Sequence, residues 1–271
     1  MRQLTLVEFK QLLGNDCILD RSILLSAYLR RTIPIHHELT FVDDFDVLIN
    51  YQHDNPQNIK TLVISTDSVY FSIYSTKKLL QHRMANSILD VSVIRRLRQH
   101  LELPNNKELS LCFGNWCAMH LSGVSSSKSA DWVALHHVCQ LEKVTRKRVQ
   151  FNFEDGLQLV LPVKSDFNHR FANLCLMSVL ELRAFEYLCH EMGIDVQQVQ
   201  LSMNVLRQHD NLYRHWYRQV TAYKIGQYLQ LFQRCVIHNI CHDEFYEPVT
   251  QTFEDSEAYF VCKMKRWRNF G

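Results

Sequence analysis

The sequence predicts an α+β fold: an antiparallel, hairpin-rich core flanked by N-terminal helices and a C-terminal helical block. Within Arg148–Leu161, apolar residues alternate with polar ones on both sides of Glu154-Asp155-Gly156, the period of two strands joined by a glycine-containing turn. A second alternating pair surrounds Thr66-Asp67-Ser68. Ahead of Pro34, and again from about Phe167 to His242, the apolar spacing lengthens to that of helices.

Thr5-Leu6-Val7-Glu8 has the form of a capping box, and Gly14 ends the helix it opens. Asp20 is placed to cap a second helix through Arg31, with Ile23, Leu24 and Tyr28 at helical spacing and Pro34 as its stop. Gly14–Leu19 is longer than the connection of about three or four residues in a helix-turn-helix, so this pair reads as a packing element or dimerisation arm. From about Leu39 the period becomes two. Leu62 and Ile64, then Val69, Phe71 and Ile73, predict a half-buried hairpin. Asp90 then caps a helix with an apolar stripe of Val93, Ile94, Leu97 and Leu101, ended by Pro104, which leaves Arg95, Arg96 and Arg98 toward solvent. Strands are expected around Leu109–Phe113 and Ala118–Leu121, followed by the polar, mobile loop Ser122–Ser129 and a strand over Trp132–Val138. After Pro162, Ser165 or Asp166 can cap a helix opening at Phe167, with Phe171, Leu174 and Ser178 on one side. Gly193 separates it from a helix capped by Asp195. A third, from near Asn211, carries Tyr213, Trp216, Tyr217, Val220, Tyr223 and Phe232, and Pro248 closes the block.

The chain has 271 residues, enough for a sizeable core, and no apolar run long enough to span a bilayer. The opening lacks a charged-then-apolar signal segment, so a cytoplasmic location without membrane partners is expected. Nine scattered cysteines fit reduced, buried thiols better than a disulfide framework. The net charge of +2 is unevenly spread. Residues 62–177 hold 14 Lys/Arg against 9 Asp/Glu, while the rest hold 16 against 19. That middle excess of five points to an anionic partner, although solubility alone accounts for such an excess equally well.

Arg146, Arg148, Gln150 and Asn152 share the strand face opposite Val149, Phe151 and Phe153, and Gln158 joins them from the second strand. Arginine attracts phosphate, and Arg, Gln and Asn can contact base edges or enter a narrow minor groove, which is what a β-ribbon reader requires. A plain solvated strand face is the competing reading. Lys143 and Lys147 thicken the patch, Arg95, Arg96 and Arg98 offer a second one, and Lys263–Arg268 interleaves cations with Trp267. Cys235, His238 and His242 fall in one sector of a helix and could ligate a metal, against a reading as packed side chains. His136-His137-x-Cys139, on a strand, is a weaker candidate, and Asp43, Asp44 and Asp46 form an acidic cluster that could hold a cation, against a favoured reading as a polar loop or edge. There is no G-x-S-x-G, Walker loop, HExxH or G-x-G-x-x-G, so neither an enzyme nor a cofactor is expected.

Thr61–Tyr74, with Asp67 at its turn and Lys77-Lys78 beyond, leads to a small-residue segment at Asn86-Ser87; a lone Trp132 opens a His-containing strand. The order then closes on Val149-Gln150-Phe151, Gly156, Leu161-Pro162 and Phe167. This order, over about residues 38–177, resembles the ComK-type competence transcription factors. The resemblance implies an oligomeric activator that binds A/T-rich promoter sites, partly through the minor groove, switches on DNA-uptake genes and is controlled by adaptor-guided proteolysis. The expected organisation is a helical arm (1–34), a DNA-binding α+β core (35–177) and a helical C-terminal region with a short basic tail (178–271). The expected function is a sequence-specific transcriptional regulator with double-stranded DNA and further copies of itself as partners. A protein-interaction scaffold acting through the aromatic C-terminal helices, and a metal-dependent enzyme, are the alternatives.

Overall fold

The computed structural model describes residues 4–14, 18–24, 26–39, 44–51, 58–85, 110–121, 129–194, 204–208 and 222–241. β1 (Leu4–Thr5) runs into α1 (Leu6–Leu13) through the expected capping box. The Glu8 amide donates to Thr5 Oγ1 at 3.2 Å, and the Thr5 amide donates to Glu8 Oε2 at 2.9 Å. Gly14, at φ 83, ends α1. β2 (Leu19–Asp20) follows, and then two short helices, α2 (Arg21–Leu24) and α3 (Ala27–Thr32), replace the single helix expected through Arg31. Asp20 Oδ1 does cap α2, accepting from the amides of Ser22 and Ile23 at 2.8 and 3.0 Å. Ser26 then restarts the helix, accepting from the Leu29 amide at 3.4 Å, because its extended backbone interrupts the ladder.

β3 (Ile35–His36), β4 (Val47–Asn50), β5 (Thr61–Ile64) and β6 (Ser68–Ser72) precede α4 (Thr76–Ala85). β7 (Ser110–Phe113) and β8 (Trp116–His120) form the next hairpin, β9 (Trp132–Ala134) follows, and a 3-10 turn occupies Leu135–His137. β10 (Val138–Thr145), β11 (Arg148–Phe153) and β12 (Gln158–Pro162) form a meander. α5 (Phe167–Glu191), α6 (Val205–Gln208) and α7 (Ala222–Cys241) complete the described elements. Gly193, at φ 75, stops α5, with the Ile194 amide returned to the Cys189 carbonyl at 2.8 Å. Among the described residues, no helix is long and apolar enough to cross a membrane.

The strands make two sheets. The larger has eight, in the order β1-β6-β5-β4-β9-β8-β7, with β3 beside β6; the smaller runs β10-β11-β12-β2. Among the described residues most pairs are antiparallel, and β3 on β6 and β2 on β12 are the parallel ones. The opening segment, read from sequence as an arm, therefore supplies strands to both sheets and buries Leu6, Phe9, Leu24 and Leu29.

The hairpin of β5 and β6 forms as expected, but it is buried on both faces rather than half-buried. Val47, Ile49, Leu62, Ile64, Val69 and Phe71 share one core with Val149, Phe151, Phe153, Leu159 and Leu161 of the smaller sheet. The intervening Leu48, Val63 and Tyr70 share a second core with Leu79, Leu80 and Met84 of α4, Leu180 and Ala184 of α5, and Ile225 and Tyr228 of α7. Helices thus cover the face that the period-two pattern alone leaves to solvent. α5 begins at Phe167, as its sequence indicates. Asp166, however, makes no side-chain cap bond and instead lies 3.3 Å from Nε of Arg170.

Trp132–Val138 is not a continuous strand. It breaks at the 3-10 turn because β9 belongs to the larger sheet and β10 to the smaller, and the chain changes sheets there.

Phe151 is fully buried between the two sheets. Phe151→Ala is expected to lower stability by about 3–5 kcal/mol. Gln150→Ala, on the opposite face, is expected to change it by less than about 1 kcal/mol. Urea unfolding followed by circular dichroism compares the two, and equal losses would show that the hairpin does not hold the core.

Candidate nucleic-acid interface and the His136–His137 corner

The meander of the smaller sheet turns one face inward and leaves the other open. Along β11, Val149, Phe151 and Phe153 are buried, Arg148 is exposed, and Gln150 and Asn152 are half-buried. The alternation expected along β11 is therefore present, whereas Arg146 lies in the turn before the strand and not on its face. Arg146 and Lys147 form the turn between β10 and β11, with Lys143 and Arg148 exposed on its flanks. The Val163 amide donates to the Lys147 carbonyl at 2.8 Å, so exposed Lys164 sits beside the same turn. Five cationic side chains thus gather at one end of the sheet. Among the described residues, Arg148 alone of the five has a carboxylate partner, Asp20 at 3.4 Å, and this exposed pair is weak enough to yield to a phosphate.

Farther along the face the character changes. Gln150 Nε2 donates to Asn152 Oδ1 at 2.9 Å, and Asn152 Nδ2 donates to Glu142 Oε1 at 3.2 Å. The two amides expected to read bases are bonded to each other and stand beside an anion. The basic turn is where the face favours phosphate. Arg95, Arg96 and Arg98 lie outside the described residues, as do Lys263–Arg268 and Tyr213, Trp216, Tyr217 and Val220. Cys235 and His238 fall on α7, but their side chains, like His242, lie outside the described residues.

At the opposite end of β10 lies a constellation that sequence reading held only as separate pieces. His136 and His137, in the 3-10 turn, meet Asp44 and Asp46 at the approach to β4. Asp44 Oδ1 is 3.0 Å from His136 Nε2, and Asp44 Oδ2 is 2.9 Å from His137 Nε2. His137 Nδ1 is 2.7 Å from Asp46 Oδ1. His136 Nδ1 lies 3.2 Å from both the amide nitrogen and the carbonyl oxygen of Cys117. The backbone beneath is fastened as well. Asn204 Nδ2 donates to the His136 carbonyl and the Glu154 amide to the His137 carbonyl, both at 3.1 Å.

Burial alone would raise the Asp44 carboxyl, but hydrogen bonds from both histidines outweigh it and hold the group well below the usual carboxylate range. Burial likewise works against the His137 imidazolium, and the bonds to Asp44 and Asp46 reverse this, pushing it up to about 10. Asp46 moves the other way: at 2 % exposure its burial raises the carboxyl despite the bond from His137. The 92 residues separating Asp44 from His136, and the reading of His136-His137 as strand, concealed the cluster. Asp43 lies outside the described residues.

No family model, curated protein or solved structure matches this chain.

The shifts at the corner set a pH window for the chelator-treated protein. His137 has its folded value raised from 6.5 to about 10, so its contribution is complete below pH 6.5 and is lost as pH climbs toward 10. Asp44 is depressed from 3.8, so its contribution is present above that pH and is lost as pH falls below it. Asp46, raised from 3.8, opposes folding once ionised. Melting temperature in EDTA is therefore expected to fall between pH 6.5 and 10 in the parent, and by clearly less in His137→Gln. Parallel pH curves for the two proteins would contradict the assignment.

Proposed function

We propose that the protein is a double-stranded-DNA-binding regulator that grips phosphates with the turn between β10 and β11. The observation that carries this reading is the exposed cluster of Arg146, Lys147, Arg148 and Lys164 at the turn end of the smaller sheet, with Lys143, opposite Val149, exposed beside the same turn. A β-hairpin of this kind presents cations at its tip and side chains of one parity along a ribbon narrow enough to follow a groove. Phosphate contacts supply affinity and orientation. Sequence preference must come from beyond the turn. The resemblance to the ComK-type activators favours A/T-rich promoter DNA, whose narrow minor groove attracts arginine. Glu142, bonded to Asn152 on the same face, argues for a footprint centred on the turn rather than on Gln150 and Asn152.

Fluorescence anisotropy with labelled A/T-rich and G/C-rich duplexes tests the reading. If all five cations meet phosphates, log affinity against log salt should fall with a slope of about −4.5. Changing Arg146 and Lys147 together to Glu should abolish measurable binding with the fold intact, since both lie in an exposed turn. Arg146→Ala alone should make the slope shallower by about one. Gln150→Ala and Asn152→Ala should change affinity little. A parental slope near zero, or unchanged binding by the double Glu variant at an unchanged melting temperature, would end the proposal.

A further inference from the structure

We propose that Asp44, His136 and His137 form a binding site for one divalent transition ion of the zinc class, held by two imidazole Nε2 atoms and one carboxylate. One ligand atom from each of these residues lies within 4.8 Å of the others. The two Nε2 atoms converge on the same carboxylate, at 3.0 and 2.9 Å, from rings whose centroids are 4.1 Å apart and inclined by 54°. Ligands on a tetrahedral zinc, at bonds of about 2.0–2.1 Å, stand about 3.3 Å from one another. The present spacing is that of proton-bridged contacts. Each of these two contacts is a few tenths of an ångström shorter than metal spacing, a difference within reach of side-chain rotation.

Each ring is oriented from behind in the manner of a metal-ligating histidine, whose other nitrogen donates to a carboxylate or a backbone carbonyl. His137 Nδ1 faces Asp46 Oδ1 at 2.7 Å. His136 Nδ1 has the Cys117 carbonyl and amide both at 3.2 Å, so it keeps a partner whichever ring nitrogen holds the proton. His136 can therefore free its Nε2 lone pair without stranding Nδ1. An arriving cation displaces the proton between Asp44 and His137 Nε2, which passes to solvent, while the single proton of a neutral His136 moves from Nε2 to Nδ1, where the Cys117 carbonyl accepts it. The local charge favours the exchange, since two carboxylates face two imidazoles.

The donor set selects the ion. Two imidazoles and one carboxylate suit zinc, iron(II) or a neighbouring first-row ion, whereas magnesium and calcium require oxygen ligands almost throughout. Asp44 is 41 % exposed, so the carboxylate lies at the protein surface and the fourth position opens toward water. His136 and His137 are fixed through their own carbonyls, by Asn204 and Glu154, so their rings are placed before any ion arrives. The site is independent of DNA binding and stands or falls separately from it.

The full chain, stripped with EDTA and dialysed, is titrated with zinc chloride by calorimetry, and with cobalt(II) chloride by visible absorption. One zinc per chain is expected, together with a rise in melting temperature and weak cobalt d–d bands free of intense thiolate-to-cobalt absorption. Asp44→Asn and His136→Gln should each weaken binding by about tenfold or more. Asp46→Asn, acting through His137, should weaken it by about 10- to 100-fold. X-ray absorption on the zinc-loaded parent should show two imidazoles in a nitrogen and oxygen shell, and this decides the matter without any variant should one fail to fold. The proposal is overturned if the parent binds no stoichiometric zinc, if folded Asp44→Asn and His136→Gln bind as tightly as the parent, or if sulfur appears in the shell.

Discussion

The chain passes from one sheet to the other within Leu135–His137, and the arrangement of both sheets hangs on how that corner is held. Leu135 and Val138 are fully buried, so neighbouring backbone groups cannot rely on water. A buried carbonyl or imidazole without a partner costs about 1–3 kcal/mol. The protein answers with groups from distant segments: Asn204 and Glu154 for the carbonyls, Asp44 and Asp46 for the rings. Asp46 is tied into the larger sheet at the same time. Its amide donates to the Ile64 carbonyl and its carbonyl accepts from the Ala134 amide, both at 2.9 Å. The corner is therefore keyed to β4, β5 and β9 together, and the smaller sheet inherits its position from them.

The second consequence is the division of the interior into two cores. A sheet whose strands are apolar on both faces needs a cover on each side, and here the smaller sheet covers one face and helices the other. α5 serves both. Phe167, Phe171 and Leu174 join the first core, while Leu180 and Ala184, beyond them along the helix, join the second. Its 25 residues span about 37 Å, enough to pass along the edge between them. Arg170 marks this passage. Although 1 % exposed, its guanidinium donates to the His120 carbonyl at 2.5 Å and lies 3.3 Å from Asp166. A buried cation is tolerated only with such partners, and these tie the first turn of α5 to β8.

Local signals in the sequence were faithful where neighbours in the chain are neighbours in space. The Thr5–Glu8 capping box, Gly14, the turn at Gly156, the alternation along β11 and the start of α5 at Phe167 are all decided within a few residues. Reading failed where tertiary packing decides. Leu62–Phe71 alternates like a half-exposed hairpin, but its intervening residues, Val63 and Tyr70, are themselves apolar enough to fill a second core. Trp132–Val138 has the composition of one strand, and nothing within it shows that two sheets claim its two ends. The histidine pair and the acidic cluster were each visible as residues. Their union depends on β4 and β9 lying side by side, with Val47 opposite Val133, which no local pattern contains.

β10 joins the two sites. It leaves the His136–His137 corner and ends at the cationic turn, and its eight residues at about 3.3 Å each separate the two by about 25 Å. The ends differ in sign, with Asp44, Asp46, Glu154 and Asp155 near the corner and Lys143, Arg146, Lys147, Arg148 and Lys164 at the turn. Screening at physiological salt has a length of about 8 Å. A charge gained or lost at the corner is thus not felt at the turn through solvent. Any influence of the corner on the turn must pass through the backbone, as a change in how firmly β10 is anchored, and would appear as altered stability of the smaller sheet. The separation keeps the cationic turn away from carboxylates that would repel an anion.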